Sequence, residues 1–174
     1  PIAKRLGVNK PLSDAYNDLG NVYLNTKKYD KALYYYQLSL PLAKKTDQAL
    51  AIGIGYANLS ITLTNLKRYE EPEKFMLLST TEYNKIQNKE GIASNLKNYS
   101  QLLAETKRLN EAELSLKKAM EIAVKNKFDI LKQNIFESMA EVSKLKGELT
   151  DAYVKQDSAY QLQTKNYNIN TNKE

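Results

Sequence analysis

The chain has 174 residues, 42% of them hydrophobic, and a formal net charge of +6. It contains neither Cys nor His. That excludes disulfides and thiolate metal sites, and it removes the commonest general base and metal ligand. The positive balance fits a lysine-rich soluble surface or a partner of anionic character, and no apolar run reaches the roughly 18 residues that span a bilayer.

At the N-terminus, Pro1-Ile2-Ala3-Lys4-Arg5 matches Pro41-Leu42-Ala43-Lys44-Lys45. Residues 1–11 are therefore expected to be the remnant of a preceding repeat, and the chain reads as a fragment of a longer array. Tyr16, Leu19, Gly20 and Tyr23 then follow i, i+3, i+4, i+7 spacing and predict a first helix. Lys27-Lys28 interrupts it, and Tyr29, Ala32, Leu33, Tyr36 and Leu40 predict a second. The pattern returns with Tyr56, Leu59, Ser60 and Leu63, then Lys67-Arg68, then Tyr69 to Leu77. A third copy runs through Leu96, Tyr99 and Leu103, then Lys107-Arg108, then Leu109, Ala112, Leu116 and Ala119. The fourth has Phe136, Met139 and Ala140, then Lys146-Gly147, then Leu149, Ala152 and Ala159. Pro72 falls in the first turn of its helix, where its missing N–H costs little. Gly53 and Gly55 lie inside a predicted helix, at a cost of roughly 1 kcal/mol each, and are expected to let a neighbouring helix approach. The polar stretch 165–174 is expected to fray.

The period is 40 residues, without insertion or deletion. Gly20, Ser60, Ser100 and Ala140 form one small-residue column, and Ser39, Ser79, Ala119 and Ala159 a second. Large residues line up at Tyr16, Tyr56, Leu96 and Phe136, and at Leu19, Leu59, Tyr99 and Met139. Such a repeat is one supersecondary unit that buries its core by stacking. The small columns let two helices cross closely, and the large columns fill the gap to the next unit.

Leu19-Gly20, Tyr23, Ala32, Tyr36 and Ser39 resemble the tetratricopeptide repeat signature. The resemblance covers about Leu12 to Tyr160 and weakens in the fourth unit, where Ser143 and Gln156 stand in place of apolar residues. It implies an all-α, right-handed α-solenoid of antiparallel helix pairs, with units of about 12–51, 52–91, 92–131 and 132–164. The family's common period is shorter. Long-period versions are typical of kinesin light chains, bacterial peptide-pheromone regulators and bacterial sensor proteins. The closing stretch, Ala152 to Glu174, resembles the last repeat before the membrane segment of two-component sensors of the Bacteroidetes type. That likeness implies the sensing or interaction part of a signalling protein and favours the periplasm over the cytoplasm. The alternatives are a cytoplasmic peptide-regulated adaptor or regulator and a purely structural assembly module.

In this family the first helices line the concave face. The resemblance assigns that face to Asn17, Asn21 and Asn25 in the first unit and to Asn58 and Asn65 in the second. Asn98 and Gln101 follow in the third, and Asn134 in the fourth. A carboxamide offers one acceptor and two donors, so a ladder of them can pair with the backbone of an extended peptide while ignoring its side chains. The bland alternative is solvated asparagines in a low-GC composition. Adaptors of this family that grip a chaperone C-terminal carboxylate use two asparagines and three cations. Asn21 and Asn58 fit the asparagine positions, but Asn17, Ser94 and Asn98 occupy the basic ones, so charge-assisted bonds are missing.

Lys27, Lys28, Lys67, Arg68, Lys107 and Arg108 end the first helices. There they complement the helix dipole or form an anionic docking edge. Nucleic acid is not the expected partner, because the aromatics fall in core columns rather than among these cations. Glu70, Glu71 and Glu73 sit at a helix start, where anions are favourable. Gly53-Ile54-Gly55 lacks the third glycine, the lysine and the preceding strand of a phosphate loop. No catalytic residue, metal ligand or cofactor is expected. The expected partner is a protein or extended peptide, membrane contact would come only through segments outside this fragment, and open repeat ends offer self-association.

Overall fold

The computed structural model describes residues 7–171, so residues 1–6 of the predicted remnant at 1–11 lie outside the described residues. Two compact units follow one another, the first ending at Asn88 and the second starting at Lys89. The first contains α1 (Asn9–Asn25), α2 (Tyr29–Lys45), α3 (Ala49–Asn65) and α4 (Pro72–Lys85). The second contains α5 (Lys89–Glu105), α6 (Leu109–Lys125), α7 (Asp129–Lys146) and α8 (Leu149–Thr171). Within each unit consecutive helices pack on one another, and in the second α5 also touches α7. No strand occurs among the described residues. The fold is the all-α, tetratricopeptide-like solenoid class.

The helix stops explain the spacing. Lys27, Asp47, Lys67, Gln87, Lys107 and Lys127 have φ between 53° and 64°, and Gly7 and Gly147 are also left-handed. These positions recur every 20 residues. At Lys28 the N–H reaches back to the Tyr23 carbonyl at 2.8 Å, while Lys27 N–H reaches Leu24 at 2.9 Å. The same pair of bonds joins Arg68 to Leu63 and Lys67 to Thr64, Arg108 to Leu103 and Lys107 to Ala104, and Glu148 to Ser143 and Gly147 to Lys144. This is a Schellman stop, which satisfies carbonyls the helix leaves unpaired. At most of these stops three residues separate the helices, so within each unit successive helices pack as antiparallel hairpins.

Small residues then let the helices cross. A Cβ added at Gly20 would stand 2.4 Å from Cε1 of Tyr36, and Tyr36 is fully buried, at 0% exposure. Gly53 gives Tyr83 the same passage, with 2.8 Å to its Cε1. Gly55 faces Leu40 at 3.1 Å. Both glycines therefore serve the close approach expected of them. Ser39 Oγ donates to the Ser13 carbonyl at 2.8 Å, and Ser79 Oγ to the Gly53 carbonyl at 2.7 Å. The corresponding pair in the second unit, Ala93 and Ala119, is fully buried and needs no such bond.

Three local expectations change. α4 starts at Pro72 rather than at Tyr69, with the proline at the first helical position. α1 begins at Asn9, ahead of Leu12. α8 continues to Thr171, through much of the stretch expected to fray, with Gln161 Nε2 bonded to Asp157 Oδ2 at 2.8 Å along its surface. One core column is also incomplete. Leu59 and Met139 are 4% and 8% exposed, but Leu19 is 41% exposed. α2 covers Leu59, whereas no described helix lies over the Leu19 face of α1.

Two substitutions test these constraints. Gly20→Ala should destabilise the chain by about 1–3 kcal/mol, because the tyrosine ring cannot give way in a packed site. Lys67→Gly should stabilise it by about 0.5–1 kcal/mol by relieving a left-handed non-glycine residue. Urea unfolding followed by circular dichroism reads both.

Candidate functional site

The first helices of unit one bring three of the predicted asparagines together. Asn17 and Asn21 lie one turn apart on α1. Asn58 of α3 donates through Nδ2 to Asn17 Oδ1 at 2.9 Å and, more weakly, toward Asn21 Oδ1 at 3.5 Å. From beneath, the Tyr36 hydroxyl of α2 donates to the same Asn21 Oδ1 at 2.8 Å. The three carboxamides are half-buried. Burial pushes the Tyr36 hydroxyl well above its ordinary range, so it is a fixed donor. Both Asn58 N–H groups and the Asn17 and Asn21 oxygens are thereby engaged. What remains without a partner among the described residues is Asn17 Nδ2, Asn21 Nδ2 and Asn58 Oδ1. Donors and an acceptor thus stand side by side in one half-buried cluster.

The other predicted residues of this unit do not join. Asn25 is exposed near the end of α1. Asn65 spends its Nδ2 on the Ile61 carbonyl of its own helix at 2.8 Å. Both sit close to the Schellman stop, beyond the reach of the cluster. In unit two, Asn98 and Asn134 are half-buried on α5 and α7, while Gln101 is exposed. Gln101 lines a groove of about 370 Å³ between α5 and α7, together with Glu105, Ser138 and Glu141. Lys97 on the same helix face has its pKa lowered by burial, opposed by the charge of Glu137.

Sequence reasoning missed Asn95, which is only 2% exposed. Its spacing with Tyr99 and Leu103, at i+4 and i+8, puts it on the core face and was a usable signal. It also missed that Tyr36, assigned to the core, reaches the asparagines through its hydroxyl. Of the adjacent tyrosines, Tyr35 stacks on Tyr23 with centroids 5.3 Å apart, and Tyr34 is exposed.

The six cations of the turns serve the backbone first. Lys27, Lys67 and Lys107 are the left-handed residues themselves. Lys28, Arg68 and Arg108 close the second Schellman bond through their backbone N–H groups. Arg108 is further engaged by Glu111, with two bonds of 2.8 and 2.7 Å. Nothing in this geometry requires a bound anion.

A second kind of groove lies on the second helices. In unit one it has a volume of about 450 Å³, with Tyr56, Leu59 and Phe75 in its floor and Lys44, Arg68 and Lys74 at its rim. In unit two the equivalent groove, about 540 Å³, is lined by Met120, Val124 and Met139 with Lys117, Glu121 and Lys125. Beside it, Glu113 on α6 receives Lys117 at 2.6 Å and Lys146 of α7 at 2.8 Å, and Lys146 also meets Glu148 at 2.9 Å. Those two lysines hold Glu113 at about 2, below the usual carboxylate range. The hydrogen bonds to Glu113 and Glu148 push Lys146 upward in turn. The apolar-to-polar change at Ser143 is met similarly. Its Oγ donates to Asp151 at 2.5 Å and accepts from Lys155 at 2.9 Å, which ties α7 to α8. Gln156, the other departure, is exposed.

Residues 13–45 match the family model of the tetratricopeptide repeat. No curated protein matches the sequence. Among solved structures, the crystal structure of BtubC (BKLC) from P. vanneervenii is similar, with a TM-score of 0.70 and 19% identity over 90% of this chain and 65% of that one. At that identity the likeness carries the fold alone, and this chain spans less than two thirds of that protein's length.

The Glu113 cluster sets a pH dependence. A carboxylate held at about 2 instead of 4.5 contributes stability that is present above 4.5 and is lost as pH falls toward 2. Glu113→Gln should therefore be less stable than the parent at neutral pH, with the gap closing as the pH falls through that window. Urea midpoints of both proteins across the acid range check this.

Proposed function

We propose that this tetratricopeptide-type chain is a protein- or peptide-binding scaffold whose asparagine cluster on α1 and α3 holds an extended polypeptide by its backbone. Tetratricopeptide repeats are in general scaffolds for protein interaction and are typically non-catalytic. What carries the finer reading is the set of unengaged groups at Asn17, Asn21 and Asn58, which Tyr36 and the mutual bonds hold in place. A peptide unit presents one N–H and one C=O, which is the complement of that set. Binding that ignores side chains follows from using carboxamides without charge. Of the remaining predicted residues, Asn98, Gln101 and Asn134 are proposed to contact the same class of ligand in unit two.

The setting we infer is the interaction part of a bacterial signalling protein. The 40-residue period and the resemblance of the closing helix to sensor repeats support it. A carboxylate clamp of the chaperone-adaptor kind is not supported, since Asn17 replaces a cation and accepts from Asn58.

Asn58→Ala and Asn21→Ala should each weaken binding of an extended peptide about tenfold, or about 1.4 kcal/mol. N-methylation of one peptide amide should abolish binding, whereas alanine replacement of its side chains should change it little. Calorimetry against a small library of extended peptides measures this. Unchanged affinity in both variants would sink the proposal.

A further inference from the structure

We propose that the groove formed by α2, α3 and α4 is a second docking site, taken by an acidic amphipathic segment of a protein partner. It is independent of the asparagine cluster. The floor is apolar and built from the core itself: Leu40, Tyr56 and Leu59 are 8%, 9% and 4% exposed and form its base. Phe75 stacks on Tyr56 with centroids 6.0 Å apart and walls one side. The rim is cationic. Lys44 lies over the Tyr56 ring at 4.9 Å, and Arg68 and Lys74 stand at the far edge with Glu71 as the single acid of the lining. None of the three cations forms an ion pair among the described residues.

The repeat supplies its own control. Eighty residues on, Lys44 becomes Val124, Arg68 becomes Glu148 and Lys74 becomes Val154. Of the two lysines that line that second groove, Lys117 is paired to Glu113, and Lys125 shares the lining with the acid Glu121. The second groove therefore has two lining lysines, one of them ion-paired, against one lining acid, whereas the first has three lining cations in no ion pair against Glu71 alone. Charge complementarity between this net-positive rim and a carboxylate favours an acidic partner. Pro41 adds a directional feature. It lies inside α2 and lines the groove next to Gln37. With no N–H, it cannot donate to the Gln37 carbonyl, and its ring presents an apolar surface to the groove. A recessed apolar floor selects a helix face with aliphatic or aromatic anchors over a flat anionic membrane.

The test uses a fluorescein-labelled peptide of about 14 residues with leucines at i, i+3, i+4 and i+7 and glutamates flanking them. Anisotropy should show it binding at least tenfold tighter than versions with lysine for glutamate or alanine for leucine. Lys44→Glu/Lys74→Glu should lose about tenfold in affinity. Lys118→Glu/Lys127→Glu, an equal charge change in unit two, and Asn58→Ala should both stay within twofold. Circular dichroism of the variants should match the parent, since all the altered lysines are exposed. Equal binding of the acidic and basic peptides, or of the leucine and alanine versions, overturns the proposal. So does equal loss in both charge-reversed pairs, or binding to phosphatidylserine vesicles without binding to the acidic peptide.

Discussion

Every helix of this chain that ends within the described residues before α8 stops on a left-handed residue, and the rest of the structure follows from that stop. A left-handed residue reverses the backbone in three positions and leaves the next N–H pointing back at the helix it has just left. The hairpin is then fixed in register before any side chain packs. Because the stops recur every 20 residues, the same numbered position in each pair faces the same neighbour. Small residues can be needed at the same place each time only on that condition. Six of these seven stops are not glycine, so the strain at each is accepted in exchange for backbone bonds and a close hairpin.

The second constraint is the closeness of the crossing. Tyr36 passes over Gly20 where even a methyl group would not fit. It emerges on the other side with its hydroxyl beneath Asn21. Core packing and the candidate site are therefore one object. The ring is immobilised by burial, the hydroxyl fixes the orientation of one carboxamide, and that carboxamide helps orient Asn58. A surface of solvated asparagines would be loose. This one is held from below, which lowers the ordering cost a ligand would have to meet.

Much of this was legible in the sequence because periodicity reports backbone geometry. Tyr16, Gly20 and Ser39 with their copies marked the helices and their crossings. The turns at Lys27, Lys67 and Lys107 were visible as polar interruptions, but their left-handed backbone was not, since lysine carries no signal for positive φ. The asparagine ladder was visible as positions on the first helices, but not as contacts. Which members meet depends on side-chain reach: Asn17, Asn21 and Asn58 converge, while Asn65 turns back to Ile61. Leu19 shows the opposite limit, since a column predicts what a residue can cover but not whether a helix lies over it. The substitution at Ser143 looked like a weakened repeat and proved to be a polar tie to Asp151 and Lys155.

The two second-helix grooves show what a repeat leaves free to vary. Backbone register and the small columns are shared, because any change there would break the hairpin. The rim positions are not constrained in that way. Lys44 and Val124 occupy the same place and neither is needed to close the fold, as both are exposed. Beside the second groove, Lys117 is held by Glu113, which also receives Lys146 from the next helix. Such pairs at partly exposed sites add little stability, so stability alone does not account for the difference between the grooves. A position that the fold does not fix, and that carries a cation in one copy and an apolar side chain in the other, is where a repeat scaffold can acquire a binding preference without altering its core.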